Sequence, residues 1–101
     1  MDDIEAAQGF AAMGSDSRLT VLQTLVRAGE KGLSVGDIQA RTGIPASTLA
    51  HHLKFLAAAS LIVQRKEGRS IVSTANYQHL SALAGFILKN CCAEAKQEEP
   101  S

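Results

Sequence analysis

There is no tryptophan in the sequence, one tyrosine and three phenylalanines, so aromatic residues make up only 4% of the chain. Whatever core it builds must be aliphatic, with leucine, isoleucine and valine supplying the burial that large rings give elsewhere. Proline occurs twice in 101 residues, which leaves long stretches free to form helices. Net charge is also missing, with ten basic and ten acidic side chains. Bulk attraction to a polyanion is therefore excluded, and any nucleic-acid partner must be held by a local patch. No apolar run approaches the ~20 residues of a membrane span. Met1 to Glu5 are acidic and lead into no apolar leader segment, so a cytoplasmic protein without membrane association is expected. Cysteine is confined to Cys91 and Cys92. An adjacent pair closes no loop, which excludes a disulfide framework and favours a reducing compartment where the thiols have a chemical use.

What is present fits one small soluble domain, 46% hydrophobic and 20% charged. A chain this short buries a modest fraction of its surface, and an apolar face left over is expected to be covered by a second copy. The charges are unevenly placed. Residues 1 to 37 hold six acids and three bases, whereas residues 38 to 89 hold six bases (Arg41, Lys54, Arg65, Lys66, Arg69 and Lys89) against Glu67 alone. That middle segment suits a phosphate backbone, where bound cations release condensed counterions.

Periodicity organises the chain into helices. Ile4, Ala7 and Ala11, with Phe10 and Met13 beside them, predict a short amphipathic helix broken at Gly14. Ser15 or Asp16 caps a second, in which Leu19, Leu22, Leu25 and Val26 keep helical spacing up to Ala28, before Gly29 and Gly32. Ser34 caps a third over Val35 to Arg41, with Val35 and Ile38 inward. Thr42-Gly43-Ile44-Pro45 is a compact turn with one apolar plug. A fourth helix spans Ala46 to Ala58 with Leu49, Leu53 and Leu56 on one side and Ser47 or Thr48 near its start. Helix, short glycine-containing turn, helix is the helix-turn-helix arrangement, whose second helix can lie in the major groove of DNA. Ser47, Thr48, His51 and Lys54 point away from the leucine stripe, and the small Ala46 and Ala50 allow close approach. Hydroxyl and imidazole groups can bond base edges, and alanine methyls can touch thymine methyls.

Leu61 to Lys66 predicts a strand, Glu67-Gly68-Arg69 a turn, and Ser70 to Ala75 a second strand rich in β-branched residues. A lone hairpin is marginal and must lean on the preceding helices, which projects Arg65, Lys66 and Arg69 as a basic wing beside the reading helix. From Tyr77 to Cys91 a fifth helix is expected, with Leu80, Leu83, Ala84, Ile87 and Cys91 forming a stripe that Phe86 and Leu88 widen. The fold class is mostly α with a small β-hairpin: a winged helix-turn-helix of five helices plus a two-stranded wing, dimeric. Residues 1–93 are expected to form the DNA-binding and dimerisation domain, and 94–101 are expected to be a polar, disordered C-terminal tail.

Ser17-Arg18-Leu19, the run Ser47-Thr48-Leu49-Ala50-His51-His52-Leu53-Lys54-Phe55-Leu56, then Ala59-Ser60-Leu61-Ile62 and Arg65-Lys66-Glu67-Gly68-Arg69 together resemble the ArsR/SmtB family of winged-helix repressors. The resemblance covers roughly residues 5 to 92. It implies a homodimer held by the first and last helices, a palindromic double-stranded operator, and release by a metal, a metalloid or oxidation. It also implies that Ser47, Thr48 and His51 face bases and that Arg69 meets wing phosphates. Many members carry Cys-x-Cys on the helix before the turn, where this chain has Ser34 and Gly36. Zinc-sensing members place several ligands along the last helix, where this chain offers His79 alone, so no zinc is expected. The remaining charged and imidazole groups have plain structural readings: Arg18 a helix-start cation, His52 a partly buried core residue, His79 a surface imidazole.

The two cysteines sit where the terminal helix gives way to the polar tail. Soft thiolates select thiophilic ions, and Cys91 and Cys92 are the expected ligands of a trivalent arsenic or antimony inducer: methylarsenite, arsenite or antimonite. Some arsenic-sensing members resemble this chain in holding Asn-Cys-Cys at the end of the last helix, followed by a third cysteine. Here Asn90-Cys91-Cys92 has no third cysteine after it. Two sulfurs match an organoarsenical with two exchangeable positions better than inorganic arsenite, which prefers three. The alternatives are a thiol oxidation sensor and an inducer-independent regulator of the same family. Beyond Lys89 the flanking residues give little to lower a thiol pKa, and the sequence offers no base and pocket arranged around a nucleophile, so an enzyme is not expected.

Overall fold

The computed structural model describes residues 1–95. Its elements follow the chain in the order α1 (Asp3–Ala12), α2 (Asp16–Ala28), β1 (Leu33–Ser34), α3 (Val35–Thr42), α4 (Ala46–Ala58), β2 (Ile62–Glu67), β3 (Ser70–Ala75) and α5 (Tyr77–Leu88). Side-chain caps start most of the helices. Asp2 accepts from the Glu5 N–H at 2.8 Å, Ser15 from Arg18, Ser34 from Asp37 and Asn76 from His79. Each satisfies a backbone donor that the first helical turn leaves without a partner. The helix-turn-helix start differs. Pro45 is the N-cap of α4 and no side chain caps it, so Ser47 and Thr48 keep their hydroxyls free.

The core is aliphatic, as the shortage of rings requires. Val21, Leu22 and Leu25 of α2 meet Ile38 of α3 and Leu49, Leu53 and Leu56 of α4, with Leu33, Leu61 and Ile62 from the sheet side. The α3–α4 turn is closed by Gly43 in the left-handed conformation. Gln39 donates to the Ile44 carbonyl and the Thr42 hydroxyl accepts from the Ile44 N–H, which holds the half-buried Ile44 against the core. At the far end of α4, Ser60 takes a left-handed φ of 66° and the Leu61 N–H reaches the Leu56 carbonyl at 3.0 Å. This six-residue closure is the Schellman way of ending a helix, and it turns the chain directly into β2.

Four features depart from the pattern expectation. The sheet has three strands in the order β1-β3-β2, because Leu33 and Ser34 pair antiparallel with Ser73 and Val72. Two residues give no alternation to read, yet they anchor the wing to the start of α3. On α1 the inward face is Ala6, Gly9 and Ala12, while Ile4, Ala7 and Ala11 face outward, Ile4 at 71% exposure. The cause is close packing against α5: a Cβ on Gly9 would stand 2.8 Å from a Leu83 methyl, so only small residues fit along that seam. On α2, Leu19 and Val26 are exposed as well. Lastly, α5 ends at Leu88 instead of Cys91. Beyond it the Lys89 N–H bonds the Phe86 carbonyl and the Cys91 N–H the Leu88 carbonyl, tighter three-residue turns, and Cys92 has a φ of 62°. Along the predicted stripe Leu83 is buried, Leu80 half-buried, and Ile87 and Leu88 are 67% and 61% exposed. The expected tail falls mainly on residues 96–101, which lie outside the described residues. No helix among the described residues is long and apolar enough to cross a membrane.

Gly32, immediately before β1, is an exacting position against the sheet. It has a φ of +72°, and an added Cβ would lie 2.5 Å from the Ser73 carbonyl oxygen. Gly32→Ala is expected to cost more than about 2 kcal/mol, from left-handed strain and backbone overlap together, read as a lowered urea midpoint at unchanged m-value. Unfolding at the wild-type midpoint would refute this account of the β1–β3 seam.

Candidate nucleic-acid interface and thiol pair

The three buried leucines of α4 orient everything opposite them. Because Leu49, Leu53 and Leu56 point into the core, Ala46, Ser47, Thr48, Ala50, His51 and Lys54 line the exposed face of the same helix. The wing stands beside this face. Strands β2 and β3 pair from Ile62 with Ala75 to Glu67 with Ser70, and Gly68, with positive φ, and Arg69 make the two-residue tip. Lys66 and Arg69 are exposed along it. Between helix and wing lies an open groove of about 560 Å³, floored by Val35, Leu53, Ala57 and Ile71 and flanked by Lys54, Gln64 and Lys66.

Arg65 differs from its neighbours. Its guanidinium bonds the Glu67 carboxylate at 2.6 Å, the Thr74 hydroxyl at 2.8 Å and the Lys31 carbonyl at 2.9 Å. These contacts tie β2 to β3 and to the loop before β1, so in the unbound protein Arg65 braces the wing. Arg41 is exposed in the last turn of α3, where its charge suits the helix C-terminus and a phosphate approaching the turn.

Two groups read from sequence as plain structural residues have more specific surroundings. Arg18 donates from Nε to the Ala12 carbonyl at 2.5 Å and from Nη2 toward that of Ala11, gripping the open end of α1. His79 is half-buried, with its Nε2 enclosed and unpaired, in contrast to the surface imidazole expected. His52 is partly buried, as expected, with Nδ1 enclosed and unpaired. Desolvation lowers its pKa below the ordinary histidine value, and the charges of Arg18 and His51 lower it further.

Directly after α5, Cys91 and Cys92 are free and exposed, with Sγ atoms 3.5 Å apart. Bonds of the ~2.3 Å length that thiolates make to zinc, at an angle near 100°, would span roughly that separation. The left-handed Cys92 backbone brings the neighbouring side chains together, which adjacent residues on a regular helix could not do at about 100° per residue. The Lys89 ammonium lies 4.2 Å over the Phe86 ring, holding the base of the turn. Among the described residues no three His, Cys, Asp or Glu side chains converge.

Comparison with known proteins agrees with this architecture. A family described as a helix-turn-helix domain matches residues 13–65, spanning α2 to the first half of the wing. The "Uncharacterized HTH-type transcriptional regulator YceK" of Bacillus subtilis is 36% identical over 87 residues, 85% of this chain and 86% of its own. The structure of an ArsR-like transcriptional regulator from Rhodococcus sp. RHA1 superposes with a TM-score of 0.76 at 30% identity, covering 90% of this chain and 82% of that one. The chain belongs to the ArsR family. It is a DNA-binding transcriptional regulator, and the family is not one of enzymes. The "Putative arsenical resistance operon repressor ArsR2" of Halobacterium salinarum is also similar, 36% identical over 61 residues, 60% of this chain and 50% of its own.

For an ArsR-family wing, Lys66→Ala and Arg69→Ala are each expected to weaken binding to duplexes of any sequence and to reduce the salt slope of log K by about 1. Fluorescence anisotropy across a salt series checks this, and an unchanged slope would remove that side chain from the phosphate contacts. A second expectation concerns pH. With its folded pKa lowered, His52 binds fewer protons in the native than in the unfolded chain between that lowered value and about 6.5. Its contribution to stability is therefore complete above that window and is lost as pH falls through it. Urea unfolding at several pH values should show a loss below about pH 6.5 that His52→Gln diminishes; equal pH dependence in both proteins would contradict it.

Proposed function

We propose that this ArsR-family regulator is a homodimeric repressor that holds a palindromic operator with two α4 helices and lets go when a trivalent arsenical bridges Cys91 and Cys92. The observation that carries the inducer is the pair of exposed sulfurs 3.5 Å apart immediately after α5. Two thiolates already this close need little reorganisation to chelate one soft centre. They match a species with two exchangeable positions, such as methylarsenite. Inorganic arsenite or antimonite would draw a third sulfur from glutathione or from a second copy. The similarity to a protein described as an arsenical resistance repressor supports the same inducer class.

Dimerisation through the first and last helices is supported by what the single chain leaves uncovered. Ile4 and Phe10 of α1 and Ile87 and Leu88 of α5 are exposed large apolar side chains on the two helices that pack together at Gly9 and Leu83. A second copy related by a two-fold axis would cover them and present the two α4 helices to half-sites one helical turn apart. Chelation at the end of α5 would reshape the margin of that same surface. A change in subunit spacing of this kind, coupled by a few kcal/mol, is sufficient for release.

Replacing Cys91 and Cys92 together by serine is expected to preserve operator affinity and abolish release by methylarsenite or phenylarsine oxide in a gel-shift titration. Release that persists in the double-serine protein would rule out the assigned site. Release of the wild type by peroxide but not by arsenical would instead mark an oxidation sensor, and release by neither an inducer-independent regulator.

A further inference from the structure

Phe55 is the one large apolar residue of α4 that burial does not explain. It is 46% exposed, on the flank of a helix whose packing is already supplied by Leu49, Leu53 and Leu56. A leucine there would serve the core equally well. Its ring is nevertheless engaged by two other side chains. The Arg18 guanidinium carbon stands 5.0 Å from the ring centroid, and the His51 ring, one turn earlier on α4, meets it at 4.9 Å with the planes 76° apart. Arg18 is in turn fixed by its bonds to the Ala12 and Ala11 carbonyls at the end of α1. A continuous stack therefore runs from the C-terminus of α1, through Arg18 and Phe55, to an imidazole on the exposed α4 face.

We propose that Arg18 and Phe55 are positioning residues for DNA recognition, holding His51 in one orientation on the face that meets base edges and tying it to the end of α1. The inference rests on α4 being the reading helix with His51 on its base-contacting side. An exposed histidine otherwise samples several rotamers, and ordering it on binding subtracts from affinity. An edge-to-face aromatic contact removes much of that freedom beforehand, and the cation over the ring restrains the phenylalanine itself. Phosphate contacts are untouched by this device, so its effect falls on sequence discrimination.

The test uses duplexes that the wild-type protein selects from a random pool as the specific probe, with a scrambled duplex of equal length and composition as the reference. Phe55→Leu keeps apolar volume but removes the ring. It is expected to lower the specific-to-scrambled affinity ratio about two- to tenfold, with the salt slope unchanged. Phe55→Tyr keeps the ring and restores the ratio, and Arg18→Gln lowers it in the same direction. In a His51→Ala background, Phe55→Leu should change the ratio no further, as a coupled pair requires. An additive loss in that background overturns the positioning role while leaving α4 as the reading helix. A His51→Ala ratio equal to wild type overturns the base-reading assignment and the positioning role with it. In the free protein, the ring-proton NMR shifts of His51 should move in Phe55→Leu; unmoved shifts also overturn the stack.

Discussion

The burial of Leu49, Leu53 and Leu56 is the constraint on which the rest depends. All three are nearly inaccessible to solvent, and each leucine buried is worth roughly 1.5–3 kcal/mol. A rotation of α4 by one residue, about 100°, would bring these side chains into water and carry Ser47, Thr48 and His51 toward the core. The helix therefore has one rotational setting, and the polar face follows from it without needing interactions of its own. That face consequently carries no packing duty.

The same economy governs the wing. Two strands joined by a two-residue tip have little independent stability. Here β3 gains a second neighbour in β1 and Arg65 spans β2, β3 and the loop at Lys31. Arg65, though itself 42% exposed, is thus bonded into the scaffold, and Lys66 and Arg69 are exposed beside it. The charge surplus between residues 38 and 89 is accordingly part brace and part surface.

The α1–α5 pair obeys a different rule. Along α1 the small residues face inward and the large apolar ones outward, because α5 approaches at Gly9 too closely for anything bulky. Ile4 and Phe10 of α1 and Ile87 and Leu88 of α5 are left exposed, and the thiols follow directly after the end of α5. The exposed Ile87 and Leu88 therefore lie within five residues of both sulfurs.

Helix existence, the α3–α4 turn, the leucine stripe of α4 and the basic hairpin were all readable from residue order, since each rests on local periodicity, caps and turn chemistry. The family resemblance came from the same stretches. The inward face of α1 was misjudged, because a stripe of alanines and one glycine has no hydrophobic contrast until a partner helix is placed against it. The end of α5 was placed three residues late, since Cys91 continues the apolar spacing while nothing local signals the left-handed turn at Cys92. Strand β1 was invisible at two residues. The bond partners of Arg65 and the Arg18–Phe55–His51 stack join positions up to 37 residues apart. Periodicity along the chain thus determined which helices form and which face of α4 is polar; the folded backbone alone decided which charges are bonded, how the turn at Cys92 brings two neighbouring sulfurs together and what holds the imidazole, because those depend on dihedral angles and distances that sequence spacing does not encode.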